Sequence, residues 1–153
     1  FDAAKSAALA LTMLDWREHG KAYAAAMIDV AGAFARSLAA AGIPVFASER
    51  GFTRSHQFAV MASDFGGGQA VSRKLRKAGF LACGIGLPAA PVEGDLNGLR
   101  LGTPELVRWG VTVDDVPRIC DLFVGALRCD DPGKMADEVA RLRVTFNRVH
   151  FVS

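Results

Sequence analysis

The sequence predicts an α+β fold, a small, mostly antiparallel sheet covered by helices. Three observations lead there. Segments of helical and strand character follow in the order helix, helix, strand, strand, helix, strand, strand, helix, helix, without the strict alternation of a doubly wound parallel fold. The 153 residues are 51% hydrophobic and 22% charged. A chain of that length buries about 68–70% of its unfolded surface as one core. No internal repeat or low-complexity linker divides it, so residues 1–153 read as a single domain.

The stretch from Phe1 to about Arg17 is rich in Ala and Leu, strong helix formers, and His19-Gly20 offers it a C-terminal cap. A second helix carries Tyr23, Met27, Val30, Phe34 and Leu38 on one face and closes at Gly42. Pro44 to Ser48 and His56 to Met61 read as strands, with Glu49-Arg50-Gly51 as turn residues between them. Gly66-Gly67-Gly68 introduces a helix with Ala70, Val71 and Leu75 inward and Arg73, Lys74, Arg76 and Lys77 outward, ending at Gly79.

Phe80 to Ile85 is a third strand and Gly98 to Thr103 a fourth. In the fourth, Leu99 and Leu101 flank Arg100 and therefore point to the opposite face of the sheet. Pro104 stops it and suits the start of a helical turn. Thr112 and Asp115 have capping-box spacing before Val116, Ile119, Phe123, Val124 and Leu127, with Pro117 confined to the early turns. Asp131 caps the last helix, Pro132 takes its first position, and Met135, Val139, Leu142 and Phe146 form its buried stripe.

Composition excludes several classes. A net charge of +2 falls short of the concentrated basic stripe that nucleic acid requires. No run approaches the roughly 20 apolar residues of a membrane span. Cys83, Cys120 and Cys129 are odd in number and lack C-x-x-C spacing, so they read as buried thiols in a reducing, cytoplasmic compartment. His19, His56 and His150 lie apart with no ligand spacing, which argues against a metal site. The glycine run lacks the ending of a phosphate loop and reads as a turn. Asp114-Asp115 and Asp130-Asp131 stand at helix starts, where capping explains them.

Arg100 stands apart. A guanidinium between two leucines in a short strand either snorkels to solvent or is held for a carboxylate or phosphate partner.

The segment Asn97-Gly98-Leu99-Arg100-Leu101-Gly102-Thr103-Pro104 resembles the S-G-I-R-[IV]-G-T-P motif of the serine hydroxymethyltransferases, which are fold-type I pyridoxal-phosphate enzymes. The resemblance runs from about Ala22 to Gly110. Tyr23 and Ala31 are similar to the family's Y-x-x-Q-V-x-x-N-A helix, and Thr53 and His56 match its G-T-D-N-H turn. Gly67-Gly68 falls at its T-G, and Gly79 to Pro88 at its G-I-x-x-N-K-N-x-I-P.

The resemblance implies that Arg100 pairs with the α-carboxylate of an amino-acid substrate, and that His56 helps shape the substrate site. It implies pyridoxal 5'-phosphate as cofactor and a homo-oligomer. No T-x-x-x-H-K segment of the kind that carries the cofactor lysine is present. The chain therefore reads as the C-terminal small domain of a larger enzyme, with residues 1–20 as a connecting helix from a domain that holds the cofactor. Two departures bear on the reaction. Cys83, Gly84 and Ile85 replace the asparagine-bearing N-K-N, which puts tetrahydrofolate dependence in doubt. Trp109 replaces the arginine of T-R-G, with Arg108 one place earlier. The expected activity is Cα–Cβ bond cleavage or formation on serine, threonine or glycine, with a folate-independent transaldolase or aldolase as the alternative. From a different class, a non-catalytic interaction module competes.

Overall fold

A computed structural model describes residues 2–152 and shows five α-helices and a three-stranded sheet among them. Phe1, placed by sequence in the first helix, lies outside the described residues. The two helices expected before Gly42 are one, α1, Ala3–Ala40, capped by the Asp2 carboxylate accepting from the Lys5 N–H at 3.1 Å. Gly20 does not end it. The glycine is buried under the Trp16 ring, where an added Cβ would stand 2.8 Å from a ring carbon. Its bare backbone costs about 1 kcal/mol of helix propensity. It lets Trp16 fold along the helix to within 5.6 Å of the Tyr23 ring. The true end is at Gly42, whose φ of +77° follows the last turn.

The strand expected over residues 44–48 reduces to one bridge between Val45 and Val60. Pro44 has no N–H to extend a ladder. Ala47 then turns left-handed at φ +57° into a tight turn over Ser48–Arg50. The sheet consists of β1 (Gln57–Met61), β2 (Cys83–Ile85) and β3 (Gly98–Gly102), in the order β1-β3-β2, both pairings antiparallel. Strand β2 is shorter than the Phe80 to Ile85 expected. The Phe80 N–H bonds the Leu75 carbonyl, and the Phe80 ring packs edge-on to Phe123 at 5.4 Å.

Helix α2 (Gly68–Lys77) follows β1, and α3 (Pro104–Arg108) and α4 (Val116–Arg128) follow β3. The Asp115 carboxylate accepts from the Thr112 N–H at 2.9 Å before α4, and Asp131 accepts from the Gly133 N–H at 3.2 Å in the turn before α5 (Ala136–Arg143). Those acids cap, as their positions suggested. The last stripe is a correction: Met135, Val139, Leu142 and Phe146 are half-buried, and Phe146 lies beyond the end of α5.

The core joins α1, α2, α4 and one sheet face. Phe34 of α1 stands edge-on to Phe58 of β1 at 5.5 Å and to Phe123 of α4 at 5.7 Å. Val71 and Leu75 of α2 point inward as expected. The cysteines divide: Cys120 is buried, and burial together with the charge of Asp121 pushes its thiol up, while Cys129 is half-buried and Cys83 is exposed. The reading of three buried thiols therefore holds for Cys120 alone. No helix among the described residues is long and apolar enough to cross a membrane.

Candidate carboxylate-binding face

Strand β3 is the centre of the sheet, and its period of two sorts its side chains cleanly. Leu99 and Leu101 are buried, whereas Arg100 and Gly102 are exposed. In register, Arg100 lies across from Ala59 of β1 and Cys83 of β2, and Gly102 lies across from Gln57. Paired residues share a face. The open face thus carries one guanidinium in a field of small or uncharged side chains.

That face hollows into an open concavity of about 480 Å³ lined by His56, Gln57, Leu81, Ala82, Cys83, Arg100, Gly102 and Pro104. The two residues singled out in the sequence, Arg100 and His56, meet there. Among the described residues the Arg100 guanidinium takes part in none of the hydrogen bonds, ion pairs or ring contacts of the structure. A guanidinium projecting from a rigid central strand into a hollow can take a carboxylate through two parallel N–H bonds. Leu81, 83% exposed, forms an apolar rim on the β2 side.

Both ends of β3 are pinned, which fixes where Arg100 stands. At the C-terminal end the fully buried Thr103 donates its hydroxyl proton to the Met27 carbonyl of α1 at 2.7 Å. Its N–H bonds the His56 carbonyl at 2.9 Å, and the Tyr23 hydroxyl donates to the Pro104 carbonyl at 2.8 Å. The turn before His56 is tied by Thr53, whose hydroxyl donates to the Gln57 carbonyl at 2.6 Å and accepts from the Ser55 N–H at 3.0 Å. At the N-terminal end the buried Asn97 accepts from the Leu87 N–H at 2.7 Å and donates to the carbonyls of Leu87, Ala89 and Ala90. This holds the loop that leads into β3.

The start of α2 is no anion site for a ligand, because the chain fills it. The Asp95 carboxylate accepts from the N–H groups of Gln69 and Ala70, both at 2.9 Å, and from Leu96 at 2.6 Å. The bond from Gln69 is the largest cause holding its pKa below the ordinary 3.8. Those from Ala70 and Leu96 and the charge of Arg73 add to it, against the opposing effect of desolvation. The glycines there serve close approach: a Cβ on Gly67 would meet the Asp95 side chain at 2.6 Å, and one on Gly68 would collide with the Gly98 carbonyl. Asp95 and Asn97 escaped sequence reasoning. The partners of Asn97 lie 7 to 10 residues away, and the two α2 partners of Asp95 lie 25 and 26 residues away, beyond any local pattern.

Of the three residues that replace N-K-N, only Cys83 lines the hollow; Gly84 is buried and a Cβ there would stand 3.0 Å from the backbone of α2. Arg108 and Trp109 lie elsewhere. The Arg108 guanidinium sits 4.6 Å over the Tyr23 ring and donates to the Phe151 carbonyl at 2.9 Å. Trp109 donates to Glu105 at 2.7 Å, with Arg143 4.5 Å over its ring. His19 and His150 do not line the hollow. Among the described residues no group of three or more His, Cys, Asp or Glu is placed to hold a metal ion.

Fold and site together define a small α+β domain that presents an arginine on the open face of its sheet. The motif resemblance to the serine hydroxymethyltransferase family is matched by whole-chain similarity. The chain is 50% identical over 153 residues to an alpha-methylserine aldolase of Ralstonia sp, covering 99% of the chain and 35% of that protein. It is 54% identical over 151 residues to an alpha-methylserine aldolase of Variovorax paradoxus, covering 99% and 34%. It is 36% identical over 149 residues to the serine hydroxymethyltransferase of Methanopyrus kandleri, covering 95% and 35%. The chain thus spans about a third of the length of the curated relatives it matches. In fold it is similar to a crystal structure of L-threonine transaldolase from Pseudomonas fluorescens, with a TM-score of 0.83 at 21% identity over 93% of the chain and 32% of that structure. No protein-family model matches the chain.

Proposed function

We propose that this chain is the substrate-gripping small domain of a pyridoxal-phosphate enzyme that breaks or makes the Cα–Cβ bond of a β-hydroxy amino acid, with Arg100 binding the α-carboxylate. The observation that carries the reading is the unengaged Arg100 guanidinium in a hollow on the open sheet face, within the motif Asn97 to Pro104. The two bonds of a planar fork would hold the amino acid in one orientation, so that a single Cα substituent faces the reacting centre. His56 borders the same hollow and is placed to bound the substrate.

The identities favour the aldolase alternative. The alpha-methylserine aldolases stand at 50–54%, against 30–36% for the serine hydroxymethyltransferases. The wall at Leu81, Ala82 and Cys83, where the family's motif carries asparagines, has no side-chain amide, which supports that preference; the side-chain amide on the hollow is that of Gln57, on the opposite strand.

The residues of this chain do not themselves fit the cofactor. No lysine lines the hollow, Lys74 is spent on the Leu127 carbonyl at 2.8 Å, and the N–H groups that start α2 are filled by Asp95. In this reading cofactor binding belongs to the remainder of a longer chain.

The test is turnover of alpha-methylserine, L-serine and L-threonine by the full-length protein loaded with pyridoxal phosphate, each with and without tetrahydrofolate. Folate-independent release of an aldehyde from alpha-methylserine is expected, and serine turnover that requires folate would replace the aldolase with a hydroxymethyltransferase. Arg100→Ala is expected to weaken amino-acid binding by ~2–5 kcal/mol with the fold intact. Unchanged affinity in that variant refutes the role of Arg100.

A further inference from the structure

Glycine in the middle of a sheet costs stability and marks a bulge or a place where something approaches the backbone closely. The central strand has two glycines, and they differ. At Gly98 the protein itself is the approaching group: an added Cβ would stand 2.5 Å from Leu87 Cδ1, and 3.2 Å from the Ile85 carbonyl. At Gly102 nothing among the described residues demands glycine. Its φ is ordinary for an L-residue, and an added Cβ would meet only Pro104 Cδ at 3.6 Å and the His56 carbonyl at 3.8 Å, both normal contacts. The fold therefore tolerates a side chain there, yet the space is left empty.

That space belongs to the hollow. Gly102 is two residues from Arg100 on the same face, ~6.6 Å along the strand, which is within the reach of a guanidinium leaning over it. Around it stand Gln57, its partner in β1, with His56 and Pro104 also lining the hollow and the exposed Leu81 on the β2 side. We infer that Gly102 is a positioning and size-selecting residue of the site: its missing side chain is the floor on which the Arg100-bound amino acid rests. This deepens the proposed function and rests on it. A methyl group at Gly102 would lift the carboxylate away from the sheet, and a branched side chain would occupy the seat outright.

The experiment compares Gly102→Ala, Gly102→Val, Arg100→Ala and the control Gly86→Ala, where an added Cβ meets nothing within 4 Å. All are made in the full-length holoenzyme. Three quantities are read: melting temperature, KM and kcat for the amino-acid substrate, and the melting-temperature shift caused by glycine as a non-cleaved probe. The inference expects Gly102→Ala to melt at or above the parent temperature. It expects KM to rise at least about threefold in Gly102→Ala and about tenfold in Gly102→Val, with kcat changed far less and the glycine-induced shift reduced in step. Gly86→Ala should leave all three unchanged.

If Arg100→Ala raises KM while both Gly102 variants keep parental KM and glycine response, the inference falls and the Arg100 reading stands. If Arg100→Ala has no effect, both fall. Should Gly102→Val fail to fold, Gly102→Ala decides, since its Cβ has only ordinary contacts.

Discussion

Replacing Phe34 with Ala tests the packing that carries the sheet. The ring is 5% exposed and stands edge-on to both Phe58 and Phe123, so it links α1 to β1 and to α4. Truncating such a ring costs ~3–5 kcal/mol, which includes the loss of two aromatic contacts of ~0.5–1.5 kcal/mol each. An unfolding entropy of roughly 2.1 cal/mol/K per residue gives about 0.3 kcal/mol/K for a chain of this length. The melting temperature should fall by about 10–15 °C. Thermal unfolding followed by far-ultraviolet circular dichroism measures it. Leu81→Ala serves as the reference: an equally apolar but 83% exposed side chain should cost under about 0.5 kcal/mol, or under about 2 °C. A Phe34→Ala shift no larger than that of Leu81→Ala would refute the placement of α1 against the sheet.

Two further predictions concern the pins of β3. Thr103→Val removes a hydroxyl bonded to the Met27 carbonyl but keeps the shape, and that carbonyl retains its partner within α1. A loss of ~1 kcal/mol in urea unfolding is expected, and a loss above about 3 kcal/mol would mean the hydroxyl does more than bond the Met27 and His56 carbonyls. Asp95 gives a pH dependence. Its folded pKa lies below the ordinary 3.8, so its contribution is present above that value and is lost as pH falls through the folded pKa. Asp95→Asn should therefore be less stable than the parent near neutral pH, and the difference should shrink as the pH falls below about 4. A difference that stays constant through the acid range would show that the charge on Asp95 plays no part.

Features legible in the sequence are those set by short-range period or by caps. Leu99, Arg100 and Leu101 alternate as a strand requires, and Tyr23, Met27, Val30, Phe34 and Leu38 mark the buried stripe of α1. Features that depend on distant partners were not legible. Gly20 reads as a helix stop by its residue type, but the Trp16 ring over it keeps the helix running. Pro44 to Ser48 has the apolar character of a strand, yet one bridge to Val60 is all the ladder it makes. The hollow was half visible. Arg100 stands out as a charge between leucines and His56 through the motif resemblance, whereas Gly102 and Leu81 carry no polar signal. The period of two that sends Arg100 outward sends Gly102 the same way, and that was the available clue.

Arg100 and Arg108 show why geometry, more than residue type, separates a binding group from a structural one. Both lie within a few residues of the Gly-Thr-Pro turn, and both carry the same fork of donors. Arg108 is consumed by the fold: its guanidinium covers the Tyr23 ring and donates to the Phe151 carbonyl, fastening the segment after α5 to α1. Removing it should loosen that segment and leave the hollow unchanged. Arg100 projects from the strand least able to move, the one paired on both edges and pinned at Asn97 and Thr103. A rigid base reduces the ordering cost of binding, because the fork is already aimed when the carboxylate arrives. The same rigidity makes the floor at Gly102 consequential, since a strand that cannot yield cannot make room for a side chain beneath the ligand.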